Sequence, residues 1–218
     1  MSSVRLSVII PTLNEGPTIK TAIESCFAQG VNEVVVADGS SKDATPSAAL
    51  SAGATLIQVV PAQRARQMNA GAHTATGDVL IFLHADTFFT PGAIAALRAA
   101  LRDPRIVGGG FERRYKSTSK LLRASSAIGN ARARCLGWTF GDQAIWARAD
   151  AFRRIGGFPE KDLFEDLDFT RRLCRLGQTR LITPGIVTSA RRFQTGVLSR
   201  LMRDILLTAC HVCLNPTP

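Results

Sequence analysis

The chain has 218 residues, 45% of them apolar and 20% charged, a balance that suits one globular domain and excludes a disordered tract. Its formal charge of +10 is unevenly placed, with 5 basic and 7 acidic residues in 1–90 against 22 and 10 in 91–218. The second part therefore faces something anionic (a general richness in arginine is the plain alternative), and no run of about 18 uncharged apolar residues marks a membrane-spanning helix.

The amino terminus lacks an apolar leader with a cleavage site, and "RLSVIIP" reads as a first, buried strand. "TIKTAIESCFAQ" follows with helical spacing at Ile19, Ala22, Ile23, Cys26 and Phe27. "EVVVAD" is a second strand, and Thr45 with Pro46 behind it reads as an N-cap opening the helix "SAALSAG". "ATLIQVV", "ARQMNAGAHTA" and "DVLIFLHAD" continue the pattern as strand, helix and strand, and Pro91 opens the helix "GAIAALRAALR". Regular alternation of this kind predicts a parallel, helix-covered sheet with ligands gathered at the carboxyl ends of its strands.

Beyond residue 105 the order loosens. "IVGGGFERRY" reads as a strand, "SKLLRASSAIGNARARC" as a basic helix, "GDQAIWARADAF" as strand-like and "LFEDLDFTRRLCRLG" as a helix closed by glycine. "VLSRLMRDILLTACHVCL" spaces Leu198, Leu201, Met202, Ile205, Leu206, Ala209 and Cys213 as one amphipathic face beside Arg200 and Arg203. Such a helix packs on the domain, pairs with a second copy or lies on a membrane. The five cysteines, Cys26, Cys135, Cys174, Cys210 and Cys213, are odd in number and fit reduced thiols in a cytoplasmic protein. Cys210-x-x-Cys213 has no second pair to complete a zinc site, and His211 between them points elsewhere on a helix.

Acidic and amide residues recur where strands end: Asn14 and Glu15 after the first, Asp38 with Gly39 after the second, Asp86 after the fourth. In a parallel sheet these line one cleft, whereas each alone would be an ordinary turn residue. No G-x-G-x-x-G after a strand and no G-x-x-x-x-G-K-[ST] is present, so carboxylates replace the usual glycine cradle for phosphate. Asp38 is a candidate acceptor for a base or ribose, and Asp86 a candidate ligand for Mg²⁺ or Mn²⁺ that neutralises phosphates. Arg64 and Arg66 open the third helix, where exposed amides and guanidinium groups favour anions.

"SVIIPTLNE", "VVVADGSSKDAT", "RARQMNAGA", "GDVLIFLHADT" and "FEDLDF" together resemble, in order and spacing, the family 2 glycosyltransferases with the GT-A fold. The likeness runs from residue 6 to about 193 and is nearest to a short, single-domain bacterial branch that shares "FLHADT", "GDQ" and "SARR". The resemblance implies an α/β fold with a Rossmann-like, mostly parallel sheet: one domain over 1–195, with a nucleotide-binding half (1–90) and an acceptor-side half (91–195), followed by a helix and tail over 196–218. It implies an inverting transfer of a sugar, UDP-linked by the resemblance, from a nucleotide diphosphate to an acceptor hydroxyl, with a divalent metal cation (Mn²⁺ or Mg²⁺) as cofactor.

Carried over to this sequence, Pro11, Thr12, Asn14 and Glu15 border the nucleoside, Asp38 contacts the base, and Gly39, Asn69 and Ala85 join the substrate-binding set. Asp86 matches the last carboxylate of the family's D-x-D metal motif. His84 stands at the first position of that motif and is open to ligating metal, orienting a water or serving structure alone. Asp166 matches the general base, with Glu165 as competitor. Arg191 and Arg192 of "SARRF" are candidates to clamp the diphosphate, and Asp142 and Gln143 of "GDQ" to meet the acceptor.

Expected partners are a nucleotide-sugar donor and no nucleic acid; the acceptor is open between an anionic or lipid-linked one, with peripheral contact at the inner face of the plasma membrane, and a small soluble one, and the last helix is open to forming a homodimer. The competing readings are a nucleotidyltransferase, a non-catalytic nucleotide-sugar-binding protein and a nucleic-acid-binding protein. The first lacks its lysine-containing glycine-rich signature, and the last lacks aromatics among its arginines.

Overall fold

The structure, a computed structural model, describes residues 4–193 and 197–214; the side chains of Arg192, Leu198, Arg200, Leu201, Asp204 and Ile205 lie outside what is described. In chain order the first part runs β1 (Leu6–Thr12), α1 (Gly16–Ala28), β2 (Glu33–Asp38), α2 (Thr45–Ser51), β3 (Thr55–Gln58), α3 (Arg64–Thr74) and β4 (Val79–Phe82). It continues with β5 (Thr87–Phe89), α4 (Ala93–Ala100), β6 (Ile106–Tyr115), α5 (Lys120–Leu136), β7 (Trp146–Arg148), α6 (Ala149–Arg154), α7 (Glu165–Leu176), β8 (Gln178–Thr188) and α8 (Val197–Leu214). The strands form one sheet in the order β3-β2-β1-β4-β7-β6-β8-β5.

The first four strands are parallel, as their alternation with helices predicts, and Ile9 of β1 sits in register with Val35 of β2 and Phe82 of β4. Both faces of β1 are covered. Leu6, Val8 and Ile10 enter the larger core with Ile19 and Ile23 of α1 and Leu97 of α4. Ile9 enters a second core with Met68 of α3, Phe152 and Phe169. A strand covered on both sides reads as a continuous apolar run, which explains "SVII". In the second core Phe82, Phe152, Phe158 and Phe169 pack with ring centroids as close as 4.2 Å, and they tie α6 and α7 under the parallel strands.

The remainder of the sheet is mixed. β7 runs antiparallel to both β4 and β6, β6 and β8 are parallel, and β5 closes the edge antiparallel to β8. Trp146, fully buried, fills the junction where β7 joins the two halves.

Three local expectations are corrected. Thr45 does not cap its helix: Asp43 Oδ1 accepts the Thr45 N–H at 2.9 Å, while Thr45 Oγ1 accepts the Glu15 N–H at 2.7 Å. The strand "DVLIFLHAD" ends at Phe82, and Ala85 and Asp86 form a turn closed by the Thr87 N–H on the His84 carbonyl at 3.1 Å. "GDQAIWARADAF" divides into a 3₁₀ turn over Gly141–Gln143, the short β7 and α6. The break comes at Ala144, whose φ of 45° no strand continues. Of the amphipathic face predicted for α8, Leu198, Leu201 and Ile205 lie outside the described side chains, whereas Met202, Leu206, Ala209 and Cys213 are exposed.

Candidate functional site

A cavity of about 550 Å³ opens at the carboxyl ends of β1 and β4, beside the amino terminus of α3. Pro11, Thr12, Leu13 and Glu15 form one wall, Arg64 and Gln67 of α3 a second, and His84, Ala85 and Asp86 the turn after β4. Arg191, from the 3₁₀ turn over Arg191–Phe193, closes the fourth side. Crevices outside the carboxyl ends of parallel strands are where α/β folds bind ligands, because the loops there are free of the sheet's own hydrogen bonding.

Arg191 draws two of the expected acids together. Its Nη2 donates to both Glu15 oxygens, at 2.5 and 2.6 Å, and its Nε lies 3.3 Å from Asp86 Oδ2. Burial pushes the Asp86 carboxyl above its ordinary range; Arg191 opposes this and Glu15 adds to it. The bond to Glu15 raises the Arg191 guanidinium further.

The opposite wall centres on Arg64. Its Nε lies 3.4 Å from Glu165 Oε1 and its Nη2 lies 3.9 Å from Asp166 Oδ2. Asp166 opens α7, where Oδ2 accepts the Gly141 N–H and Oδ1 the Leu167 N–H, each at 2.7 Å. One N–H on each oxygen leaves each a second lone pair. Glu165 is buried, at 4% exposure, and burial pushes its carboxyl up despite Arg64. A Cβ on Gly141 would fall 1.6 Å from Arg64 Nη2 and 3.2 Å from His84 Nε2, so a larger residue there would push the Arg64 guanidinium aside. His84 thus turns toward the "GDQ" segment, and its charge helps to hold Asp142 down.

Other expected residues build the walls from behind. Asp38 is fully buried, with Thr12 Oγ1 donating to Oδ1 at 3.1 Å, the Ser41 hydroxyl donating to the same oxygen, and the Ser41 N–H donating to Oδ2 at 2.8 Å. Asn14, at φ 57°, accepts the Lys42 N–H on Oδ1 at 2.9 Å, and the Gly39 N–H bonds the Thr12 carbonyl. These three shape the loops beneath the cavity.

Four residues are not brought to the cavity. Arg66 turns to Glu160 at 2.7 Å, and the Asn69 side chain pairs with the Phe158 backbone in both directions at 2.9 Å. Gln143 is fully buried and accepts from Arg132 Nη2 at 2.9 Å. Asp142 pairs with buried Arg113 and accepts the Tyr115 hydroxyl; burial would push its carboxyl up, but Arg113, His84 and Arg132 hold it down. The Arg192 side chain lies outside the described residues.

Leu13 and Gln67 line the cavity without having been singled out. Gln67 Nε2 donates to the Thr12 and Ala37 carbonyls, both at 2.8 Å, and so clamps the ends of β1 and β2. Its place three residues after Arg64, on the same helix face, is the signal that would have found it.

The metal fit follows from the donor set. Among the described residues no group of three or more His, Cys, Asp or Glu is placed to hold a metal ion. Asp86, with Glu15 across Arg191, offers hard oxygens for a cation whose remaining ligands are water and phosphate, the usual coordination of Mg²⁺.

Comparison with known proteins bears on this geometry. The family model described as "Glycosyl transferase family 2" matches residues 7–158. An uncharacterized Mycobacterium tuberculosis protein (MT1568) is 33% identical over 118 residues, which is 51% of this chain and 37% of that one. The chain thus spans little more than a third of that curated relative. Among solved structures, the mannosyltransferase of Pyrobaculum calidifontis in complex with GDP-Man and Mn²⁺ has a TM-score of 0.66 at 23% identity, over 85% of this chain and 56% of its own. S. aureus TarS in complex with UDP-GlcNAc has a TM-score of 0.69 at 18% identity, over 86% and 59%. Glucosyl-3-phosphoglycerate synthase of M. tuberculosis, with Mn²⁺ and UDP-Glc, has a TM-score of 0.64 at 19% identity, over 98% and 80%. At these identities the structural likenesses speak for the GT-A fold, and the family model, which covers most of the chain, places it in glycosyl transferase family 2.

Proposed function

We propose that the chain is an inverting glycosyltransferase that moves a sugar from a UDP-linked donor to an acceptor hydroxyl, with Asp166 as general base and Asp86 as metal ligand. The observation that carries the reading is the two-sided cavity: Glu15, Asp86 and Arg191 line one side, and Arg64, which lines the other, reaches Glu165 and Asp166 behind it. A donor diphosphate fits the first side, where Arg191 can exchange its carboxylate partners for phosphate oxygens. A divalent cation held by Asp86 would supply Lewis-acid stabilisation of the departing diphosphate.

On the second side Asp166 is better placed than Glu165 to take the acceptor proton, because Glu165 is more deeply buried and closer to Arg64. The free lone pairs of Asp166 point the way for a hydroxyl, and the Arg64 guanidinium stands 3.9 Å from its Oδ2. Attack opposite the leaving group inverts the anomeric centre. Residues 1–195 make up the catalytic unit in this reading.

Thermal-shift titration with nucleoside diphosphates, with and without Mn²⁺, tests the donor side. Asp86→Ala should abolish the metal-dependent stabilisation, whereas Asp166→Asn should keep it and lose transfer. Release of pyrophosphate from a nucleoside triphosphate supplied with a sugar 1-phosphate, without release of nucleoside diphosphate from a nucleotide sugar, would show a nucleotidyltransferase instead. Near-full turnover in Asp166→Asn would overturn the base assignment.

A further inference from the structure

Two helices beside the cleft display apolar side chains on their outer faces. On α5, Leu121 and Ile128 are 47% and 67% exposed and stand seven residues apart, with Ala124, Ala131 and Cys135 exposed along the same line. α8 packs against α5 and exposes Met202 at 59% and Leu206 at 65%, in line with exposed Ala209 and Cys213. The opposite side of α8 is the docked one. His211, about two and a half turns from Met202, places Nε2 2.9 Å from Asp168 Oδ1 and stacks on Phe164 with centroids 4.5 Å apart.

Charge accompanies the two stripes. From Arg113 to Gly141 the chain carries seven basic residues and no acidic one. Lys116, Lys120 and Arg123 are exposed there, as is Arg203 on α8. No helix among the described residues is long and apolar enough to cross a membrane.

We infer that the α5–α8 face seats the chain on an anionic lipid surface. A two-fold contact between copies through this face would set one acid-free basic strip against another. Anionic headgroups complement the same strip, and the boundary beneath them takes Leu121, Ile128, Met202 and Leu206. The inference goes beyond the proposed transfer and does not depend on the donor. It also gives the face a place in the site: Arg132 of α5 holds Gln143, and the Gly141 N–H of the same turn holds Asp166. The helix that meets the lipid therefore props the acceptor wall.

Co-sedimentation of the full chain with large vesicles tests this, comparing phosphatidylcholine alone with phosphatidylcholine containing phosphatidylglycerol, at low and near-physiological salt. The expected result is binding to the anionic vesicles only, weakened by salt. Lys120→Gln with Arg123→Gln should weaken it about 25-fold. Ile128→Glu with Leu206→Glu should abolish it while the circular-dichroism melt stays unchanged, since both side chains are exposed. Equal binding to neutral vesicles, or no binding to either, would overturn the inference. So would a wild-type dimer in light scattering that Ile128→Glu with Leu206→Glu makes monomeric without any lipid binding, which would assign the face to a second copy.

Discussion

Replacing Gln67 by methionine keeps the length of the side chain and removes its amide. In the native chain Gln67 is 5% exposed, and its Nε2 donates to two strand-end carbonyls, Thr12 and Ala37, at 2.8 Å each. The Thr12 carbonyl keeps the Gly39 N–H at 2.9 Å. Each of the two lost bonds costs about 1 kcal/mol, and a buried carbonyl left short of a donor adds about 1–2 kcal/mol, so the expected loss is about 3–4 kcal/mol. For a chain of this size that lowers Tm by about 5–15 °C. Urea denaturation followed by circular dichroism should show the midpoint falling with an unchanged slope. Gln67→Glu should be worse at neutral pH, because an ionised carboxylate has only acceptors to offer two carbonyls. A Gln67→Met variant within about 1 kcal/mol of wild type, or a Gln67→Glu variant no worse than Gln67→Met, would refute the clamp.

Asp142→Asn strands the buried Arg113 charge and should cost about 2–4 kcal/mol in urea denaturation; Arg113→Met in the same chain should restore part of it. Gly109 has φ 149° and a Cβ there would lie 2.0 Å from the Arg180 carbonyl oxygen, so Gly109→Ala should lose about 3 kcal/mol or more and fold poorly on expression. The folded state raises the Glu165 carboxyl, so its charge opposes folding above that raised pKa and ceases to do so once pH falls below the unfolded value. Glu165→Gln should therefore gain stability relative to wild type as pH rises above the ordinary glutamate range, and a relative loss on that rise would show that burial does not dominate. Arg191→Ala should tighten Mn²⁺ alone, by removing a cation 3.3 Å from Asp86, while weakening nucleoside diphosphate binding about tenfold in isothermal titration; movement of both in one direction would refute the exchange of partners.

The parallel half of the sheet was legible because its signals are local. β1, β2 and β4 are covered on both faces and read as apolar runs, and the helices between them carry a 3.6-residue period. β8 gave no such signal. Its eleven residues include Pro184 and Gly185 and alternate irregularly between exposed and buried, and what makes them a strand is pairing with β6 and β5. The site divides in the same way. Glu15, Asp86 and Arg64 lie where a strand or helix ends, so their address could be read, and the family resemblance added Arg191 and Asp166. Asn69 and Gln143 could not be sorted in advance. An amide looks the same in sequence whether it waits for a substrate or bonds a backbone, and here Phe158 and Arg132 decide.

The basic surplus of the second part has two physical origins. One is structural. Arg148 donates to the Ile106, Leu101 and Asp103 carbonyls, and Arg172 to those of Ile155 and Gly157. A guanidinium fork satisfies several loop carbonyls at once, which lysine cannot do in a fixed plane, so these arginines serve packing and imply no anionic partner. Arg113 and Arg132 likewise face inward, over Tyr115 and Phe140. What remains faces outward: Arg191 in the cleft, Lys116, Lys120, Arg123 and Arg203 along or beside α5 and α8, and a scattered set elsewhere that includes Arg102, Arg105, Arg153, Arg154, Arg175 and Arg180. The net charge by itself could not separate the two readings, an arginine-rich chain or an anionic partner. Once the inward-facing arginines are set aside, the outward charge in the cleft and along α5 is what a diphosphate and a lipid headgroup would each meet, and the acids around the cleft divide evenly, Glu15 and Asp86 from the acid-rich first part of the chain and Glu165 and Asp166 from the second.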